Sequence, residues 1–418
     1  MGKYSLILIL GFSIIVLGLL PLIHGRASRS YENYLDYYGD GLAHNIAASG
    51  ANFGANMLFA NPSAEFSYSN LTMGGGKFSF YTTIQPDSTI LLTSNGKYRG
   101  TEKTVQATFG RSSFAKFGVY LATMNNIYWT TGDTVRGPCH IQNVMNLNGT
   151  PVFFGKVTTL AGTYPSSLPS GSTNPKFYGG YQSGISVPLP PNLNSLQSAA
   201  ASGGKIFTPP PTPTGTYEVR MKFNNNGTIK YSEYKGTSKL SDTTVSINLL
   251  APNGVVLVNG GNIRTEGTVN GRVTICATSG GLTETGNAYI SGDIRYNEDP
   301  AQHPESDDYL GIVTERDVTI PLPPGFPANP CPNNIMIQAC VFSRTGKFSA
   351  ELDYRMGQLG NVNFYGSMSS YTIGAFSASG SSGTYGYYNN FQFDQRLLLE
   401  TPPHYPKTSL LEILSWKE

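Results

Sequence analysis

Tyr4 to Ile23 is a run of 20 residues without one charged side chain. A helix of about twenty apolar residues crosses a bilayer, so this stretch commits the chain to lipid or to export before anything downstream is considered. Lys3 gives the run a short basic start, and Gly25-Arg26-Ala27 puts small residues where a signal peptidase reads. A cleaved secretory signal and a retained anchor both stay open, although the run is longer than the roughly 7–15 residues of an ordinary signal core. Arg26 and Arg29 follow the run while only Lys3 precedes it, so the positive-inside bias is not satisfied by counting, the one feature that cuts against export. Under either reading the body of the protein lies outside the cytoplasm.

Between Tyr31 and Phe59, Leu35, Leu42, Ile46, Phe53 and Met57 recur at helical spacing and fall on one stripe. Beside them runs a row of small residues, Gly39, Ala43, Ala47, Gly50 and Gly54, which admits close approach of another backbone. That backbone belongs either to a partner helix or to the protein's own sheet. Asn61-Pro62 ends the helix, because the residue before proline is pushed out of the α region. From Lys77 to Phe109 the period changes to two: Phe78 and Phe80, then Ile90 to Leu92, then Val105, Ala107 and Phe109, with Ser94-Asn95-Gly96 as the turn signal. The pattern predicts an antiparallel meander of three or four strands with the helix on one face.

This arrangement resembles type IV pilin-like proteins, especially the PilX-like minor pilins. The residues that carry the resemblance are Ala43-His44-Asn45-Ile46-Ala47-Ala48-Ser49-Gly50-Ala51-Asn52 and the meander from Ile90 to Phe109. If Gly11-Phe12 marked a processing site, the fifth mature residue would be Val16, where that family carries Glu, which argues against polymerisation into a major pilus. Gly261 to Ile320, with Ser291-Gly292-Asp293-Ile294-Arg295-Tyr296, resembles a bacterial surface domain family of unknown function that accompanies pilin-like N-termini.

Over the whole chain charged residues are sparse (13%, against about 25% in a typical domain) and glycine is abundant at 48. From Tyr217 onward short apolar runs are cut every few residues by Asn253-Gly254, Asn259-Gly260, Gly267, Asn270-Gly271 and Gly280-Gly281. Runs this short suit the coils of a β-solenoid (parallel β-helix) better than the hairpins of a sandwich. The expected fold is mainly β. It comprises a signal or transmembrane segment at 1–27, a pilin-like helix and antiparallel meander at 28–112, and a solenoid-like domain at 113–418. A Pro/Ser/Gly-rich surface excursion at 162–214 interrupts that domain, with a short helix near Leu196 to Ala201.

Four cysteines in an exported chain predict disulfides. Cys331 and Cys340 are close in sequence and pair first; Cys139 with Cys276 is the remaining pair, with a buried thiol at Cys276 as the alternative. Calcium takes six to eight oxygens, and the acidic segment offers Asp299, Glu305, Asp307 and Asp308 as candidate ligands. The spacing fits no EF-hand and Pro300 and Pro304 break it, so a solvated loop is the simpler reading and no cofactor is expected. His140 follows Cys139, but adjacent strand residues point to opposite faces and make no dyad. Tyr385, Tyr387, Tyr388, Phe391 and Phe393 could stack on sugars, or fill a core or cover the end of the stack; Asp394 and Arg396 could pair across one face. No nucleophile elbow, zincin or P-loop pattern occurs. A net charge of +2 without a basic cluster excludes a nucleic-acid footprint.

These observations predict a non-enzymatic structural or adhesive protein of the bacterial cell envelope or surface, in keeping with a minor pilin-like or pilus-associated component. The alternative is a solenoid that binds or degrades polysaccharide, which requires a groove lined by carboxylates, basic side chains and aromatic rings. The expected partners are the membrane, pilin-like or secretion-machinery subunits, and surface polysaccharide. A secretion-machinery role requires the small-residue face of the helix to be free.

Overall fold

The apolar run and the helix behind it are one element, α1, spanning Gly2–Ala60. The computed structural model describes residues 2–62, 65–86, 88–381 and 383–418. The chain divides into two compact units, Met1–Arg111 with Leu410–Glu418, and Ser112–Ser409. At about 1.5 Å per residue, the 59 residues of α1 extend roughly 88 Å, and the helix continues through Pro21. Residues 2–38 are exposed; burial begins at Gly39.

The buried face of α1 differs from the predicted stripe. Of those five residues only Ile46 is buried, whereas Leu35 and Phe53 are exposed. The buried set is the small row and its neighbours: Gly39, Ala43, Ala47, Gly50, Ala51, Gly54 and Ala55, closed by Leu58. The cause is proximity. A Cβ on Gly50 would stand 2.5 Å from Ser94 Oγ, and one on Gly54 would stand 2.7 Å from Leu92 Cδ1. The small-residue row is therefore covered by the protein's own sheet.

That sheet is built from β1 (Ser67–Met73), β2 (Gly76–Ile84), β3 (Ile90–Tyr98) and β4 (Thr101–Ser113), each antiparallel to the next. The C-terminal strand Lys407–Lys417 joins beside β4. Phe78, Phe80, Leu92, Val105, Ala107 and Phe109 form the core with α1. Ser94-Asn95-Gly96 does not turn: Asn95 lies within β3, opposite Ser79 and Thr104. Gly96 is there because a Cβ would collide with the backbone of Ala43 and Ala47. The turn is Arg99-Gly100, both with positive φ (46° and 93°).

In the second unit the strands pair mainly in parallel. One row runs from Lys205–Phe207 through Val255–Asn259, Arg272–Thr278, Tyr309–Thr314, Ile335–Ala350 and Gln358–Ile373. It continues through Val119–Leu121, Cys139–Ile141, Val157–Thr159 and Tyr181–Gln182. A second row contains Tyr217–Phe223, Asn262–Val269, Ala288–Tyr296 and Val318–Ile320. The chain alternates between rows, at two places across two-residue links: Gly260-Gly261 leads from Val255–Asn259 to Asn262–Val269, and Asn270-Gly271 leads on to Arg272–Thr278. Gly260 and Gly271 take the positive φ (77° and 109°) that these corners require.

The middle strands of the first row, Val255–Asn259, Arg272–Thr278 and Tyr309–Thr314, are buried on both faces, as parallel sheets are. Val256, Val258, Ile275, Ala277, Ile312 and Val341 enter one core. Their alternating neighbours Val255, Leu257, Cys276, Val313 and Phe342 enter another, which is covered by Phe114, the helix Asn194–Gly203, Leu397 and Tyr405. The segment 162–214 is not a surface excursion throughout. Thr163–Tyr164, Lys176–Phe177 and Tyr181–Gln182 each pair in parallel with earlier strands.

Candidate functional site

Tyr217–Phe223 reads Tyr-Glu-Val-Arg-Met-Lys-Phe, and Tyr217, Val219, Met221 and Phe223 are buried. Strict alternation sends Glu218, Arg220 and Lys222 to the opposite face. Register then places Arg220 beside Arg264, and Arg264 beside Tyr289. Parallel neighbours are about 4.8 Å apart, too close for two guanidinium groups without a counter-charge. Glu218 supplies it, accepting from Arg220 Nε at 2.7 Å and from Arg264 Nε and Nη2 at 3.2 and 3.1 Å. The Arg220 guanidinium lies 4.1 Å from the ring of Tyr234, and that of Arg264 lies 5.0 Å from the ring of Tyr289.

Tyr234 comes from Thr228–Lys235, which is antiparallel to Tyr217–Phe223 and forms one wall. Pro321, Leu322, Pro324 and Glu351 form the other, with Glu351 accepting from the Leu322 amide at 2.9 Å. The groove between them holds about 560 Å³, within the range of roughly 300–1,000 Å³ typical of ligand sites. Burial, and secondarily Glu351, pushes the Tyr289 hydroxyl above its ordinary pKa. Sequence reasoning did not find this site. The alternation in Tyr217–Phe223 was visible, but the convergence of Arg264, Tyr289 and Glu351 depends on strand register.

The acidic residues do not converge. Asp308 is buried and occupied by backbone, its Oδ1 accepting from Gly271 N at 2.6 Å and its Oδ2 from Glu298 N at 2.9 Å. Asp299 Oδ1 accepts from Ala301 N and Gln338 Nε2 at 3.1 and 2.9 Å. Glu305 stands on the surface 3.6 Å from His303, and Asp307 is exposed. Among the described residues no three His, Cys, Asp or Glu side chains gather as a metal site. The calcium expectation for Asp299, Glu305, Asp307 and Asp308 therefore lacks a shared centre.

The expected disulfides are also corrected, because all four thiols are free. Cys331 precedes its strand, whereas Cys340 lies five residues beyond the strand start at Ile335, roughly 17 Å along it. A disulfide needs Cα atoms within about 7 Å. Cys139 and Cys276 belong to different cores, on opposite faces of the first row. Burial pushes the Cys139 thiol up to about 12 and raises Cys276 and Cys340 as well.

His140 faces away from Cys139. Its Nδ1 lies 2.8 Å from Thr158 Oγ1, its Nε2 lies 2.9 Å from Gln142 Oε1, and its ring stacks on Tyr120 at 5.4 Å. Asp394 and Arg396 do pair, at 2.7 Å, with Asp394 buried and the Arg396 side chain 9% exposed. The predicted aromatic patch is divided. Phe393 is in one core and Tyr387 in the other, Phe391 packs against Phe364, and Tyr388 is exposed.

No family model and no curated protein matches the chain. Among solved structures it is similar to the competence-associated pilin ComZ from Thermus thermophilus. Sequence identity is 12% and the TM-score 0.36, over 91% of this chain and 97% of that one.

Proposed function

We propose that this chain is a non-enzymatic envelope protein, tethered to a membrane by the N-terminal half of α1, that holds a β-solenoid body outside the cytoplasm as a pilin-like or pilus-associated surface component. The observation that carries the reading is the exposure of residues 2–38 together with an 18-residue window of mean hydropathy 2.9. Each large apolar side chain left in water forgoes about 1.5–3 kcal/mol, and lipid is the solvent that removes this penalty. Two parallel rows, joined by two-residue corners at Gly260-Gly261 and Asn270-Gly271, support the solenoid reading. A scaffold rather than a catalyst is supported by the use of Asp308 as a backbone acceptor, the burial of His140 and the burial of three of the four thiols. The small-residue row cannot serve a secretion-machine partner while its own sheet covers it.

Fractionation of expressing cells tests the tether. The full-length chain is expected in the membrane fraction, released by detergent and retained through an alkaline carbonate wash. A variant lacking residues 2–38 is expected in soluble fractions. A full-length chain found soluble inside the cell would overturn the proposal.

A further inference from the structure

We infer that the groove between Thr228–Lys235 and Pro321–Pro324 is a saccharide site that takes an uncharged oligosaccharide; this rests on the reading that the second unit faces the cell exterior. Two arginines and two glutamates line the groove, Glu218, Arg220, Arg264 and Glu351, so its formal charge sums to zero. That balance disfavours a phosphate, a sulfate or a polyanion, for which uncompensated positive charge would be needed. It suits a ligand whose hydroxyl groups each donate and accept.

The planar groups are paired without being saturated. A carboxylate offers about four acceptor sites and a guanidinium five N–H donors, while Glu218 receives three hydrogen bonds from the two arginines. Each guanidinium is held both by that carboxylate and by a tyrosine ring. Their rotamers are thus ordered before a ligand arrives, which lowers the entropy lost on binding. Tyr234 and Tyr289 are half-buried at the groove; one face of each ring is taken by its guanidinium, and the ring surface that remains is what the C–H face of a pyranose would meet. The rung spacing of about 4.8 Å is commensurate with the length of one pyranose residue in an extended chain. Among the cavities of this unit, this groove combines paired charges with two aromatic rings. The cleft beside Pro209 to Pro211 has one lysine and one glutamate, and the one beside Tyr354 and Tyr385 has no charged lining residue among the described residues.

The test is titration of the detergent-solubilised full chain with hexamers of β-1,4-linked glucose and of β-1,4-linked N-acetylglucosamine, with polygalacturonate as the charged comparison. Binding of at least one neutral hexamer is expected, weakened tenfold or more by Tyr234→Ala and by Tyr289→Ala, with polygalacturonate weaker than the neutral probe. Arg220→Lys keeps the charge but loses the planar fork and should weaken binding by a smaller factor. Unchanged thermal unfolding of each variant separates loss of the site from loss of the fold. No binding to either neutral hexamer, preference for polygalacturonate, or binding indifferent to both tyrosine variants would overturn the inference. Fractionation reads the tether independently, so a membrane-bound chain that binds no saccharide overturns this inference alone.

Discussion

At the scale of single residues, two glycines in the first unit have opposite meanings. Gly96 is pressed against the backbone of Ala43 and Ala47, and neither neighbour is a side chain that could rotate aside. Gly96→Ala should lower the unfolding free energy of that unit by about 1–3 kcal/mol, the usual cost of overpacking, read from denaturant melts. Gly41 has nothing within 4 Å of a Cβ, so Gly41→Ala should stabilise the helix by up to about 1 kcal/mol. His140 makes a pH prediction. Burial holds its pKa below 6.5, against a weaker opposing pull from Gln142. The unfolded chain therefore binds more protons than the folded one below about pH 6.5. The contribution of His140 is complete above that pH and is lost as pH falls through the depressed folded value. Unfolding midpoints measured from pH 7.5 to 5 should fall on acidification, and His140→Gln should flatten the decline.

At the scale of elements, Arg396 joins the C-terminal segment to the loop carrying Asp308. It pairs with Asp394, donates Nη1 to the Ser306 carbonyl at 2.5 Å and Nη2 to that of Asp308 at 3.3 Å, and lies 4.6 Å from the Tyr309 ring. Asp394→Ala leaves this guanidinium buried without its counter-ion and should cost about 3–5 kcal/mol, visible in the denaturation transition of the larger unit. The pair was expected from strand geometry, which places i and i+2 on one face, but it forms at a helical cap: Asp394 precedes the 3-10 turn Gln395–Leu398 and accepts from the Arg396 amide at 3.0 Å. The meander was legible in sequence because Phe78, Phe80, Val105, Ala107 and Phe109 repeat at the strand period. Other elements were hidden by physics that no local pattern encodes. On α1 the spacing of the large residues marks one stripe, but the Gly/Ala row is the face that is buried, because only side chains that small let the helix come this close to the sheet. Ser94-Asn95-Gly96 has a turn's composition, yet the constraint on Gly96 is set by a helix about fifty residues earlier. The strand Lys407–Lys417 finds its neighbour β4 far back along the chain. In the groove, Glu218 was visible as a charged residue on an alternating strand, but its role depends on register with Arg264.

At the scale of the whole molecule, the second unit is an insertion. The chain leaves the first unit after Arg111 and re-enters it at Leu410, so one sheet contains both the strand that departs and the strand that returns. Length and composition predicted a second β-rich body but placed all of 113–418 within it, because a terminal strand carries no local sign of a distant partner. The inserted body is consequently attached to its base by two covalent connections. A protease that cut the C-terminal connection would leave the body covalently joined after Arg111, whereas a cut after Arg111 would leave it held only through the hydrogen-bonded strand Lys407–Lys417.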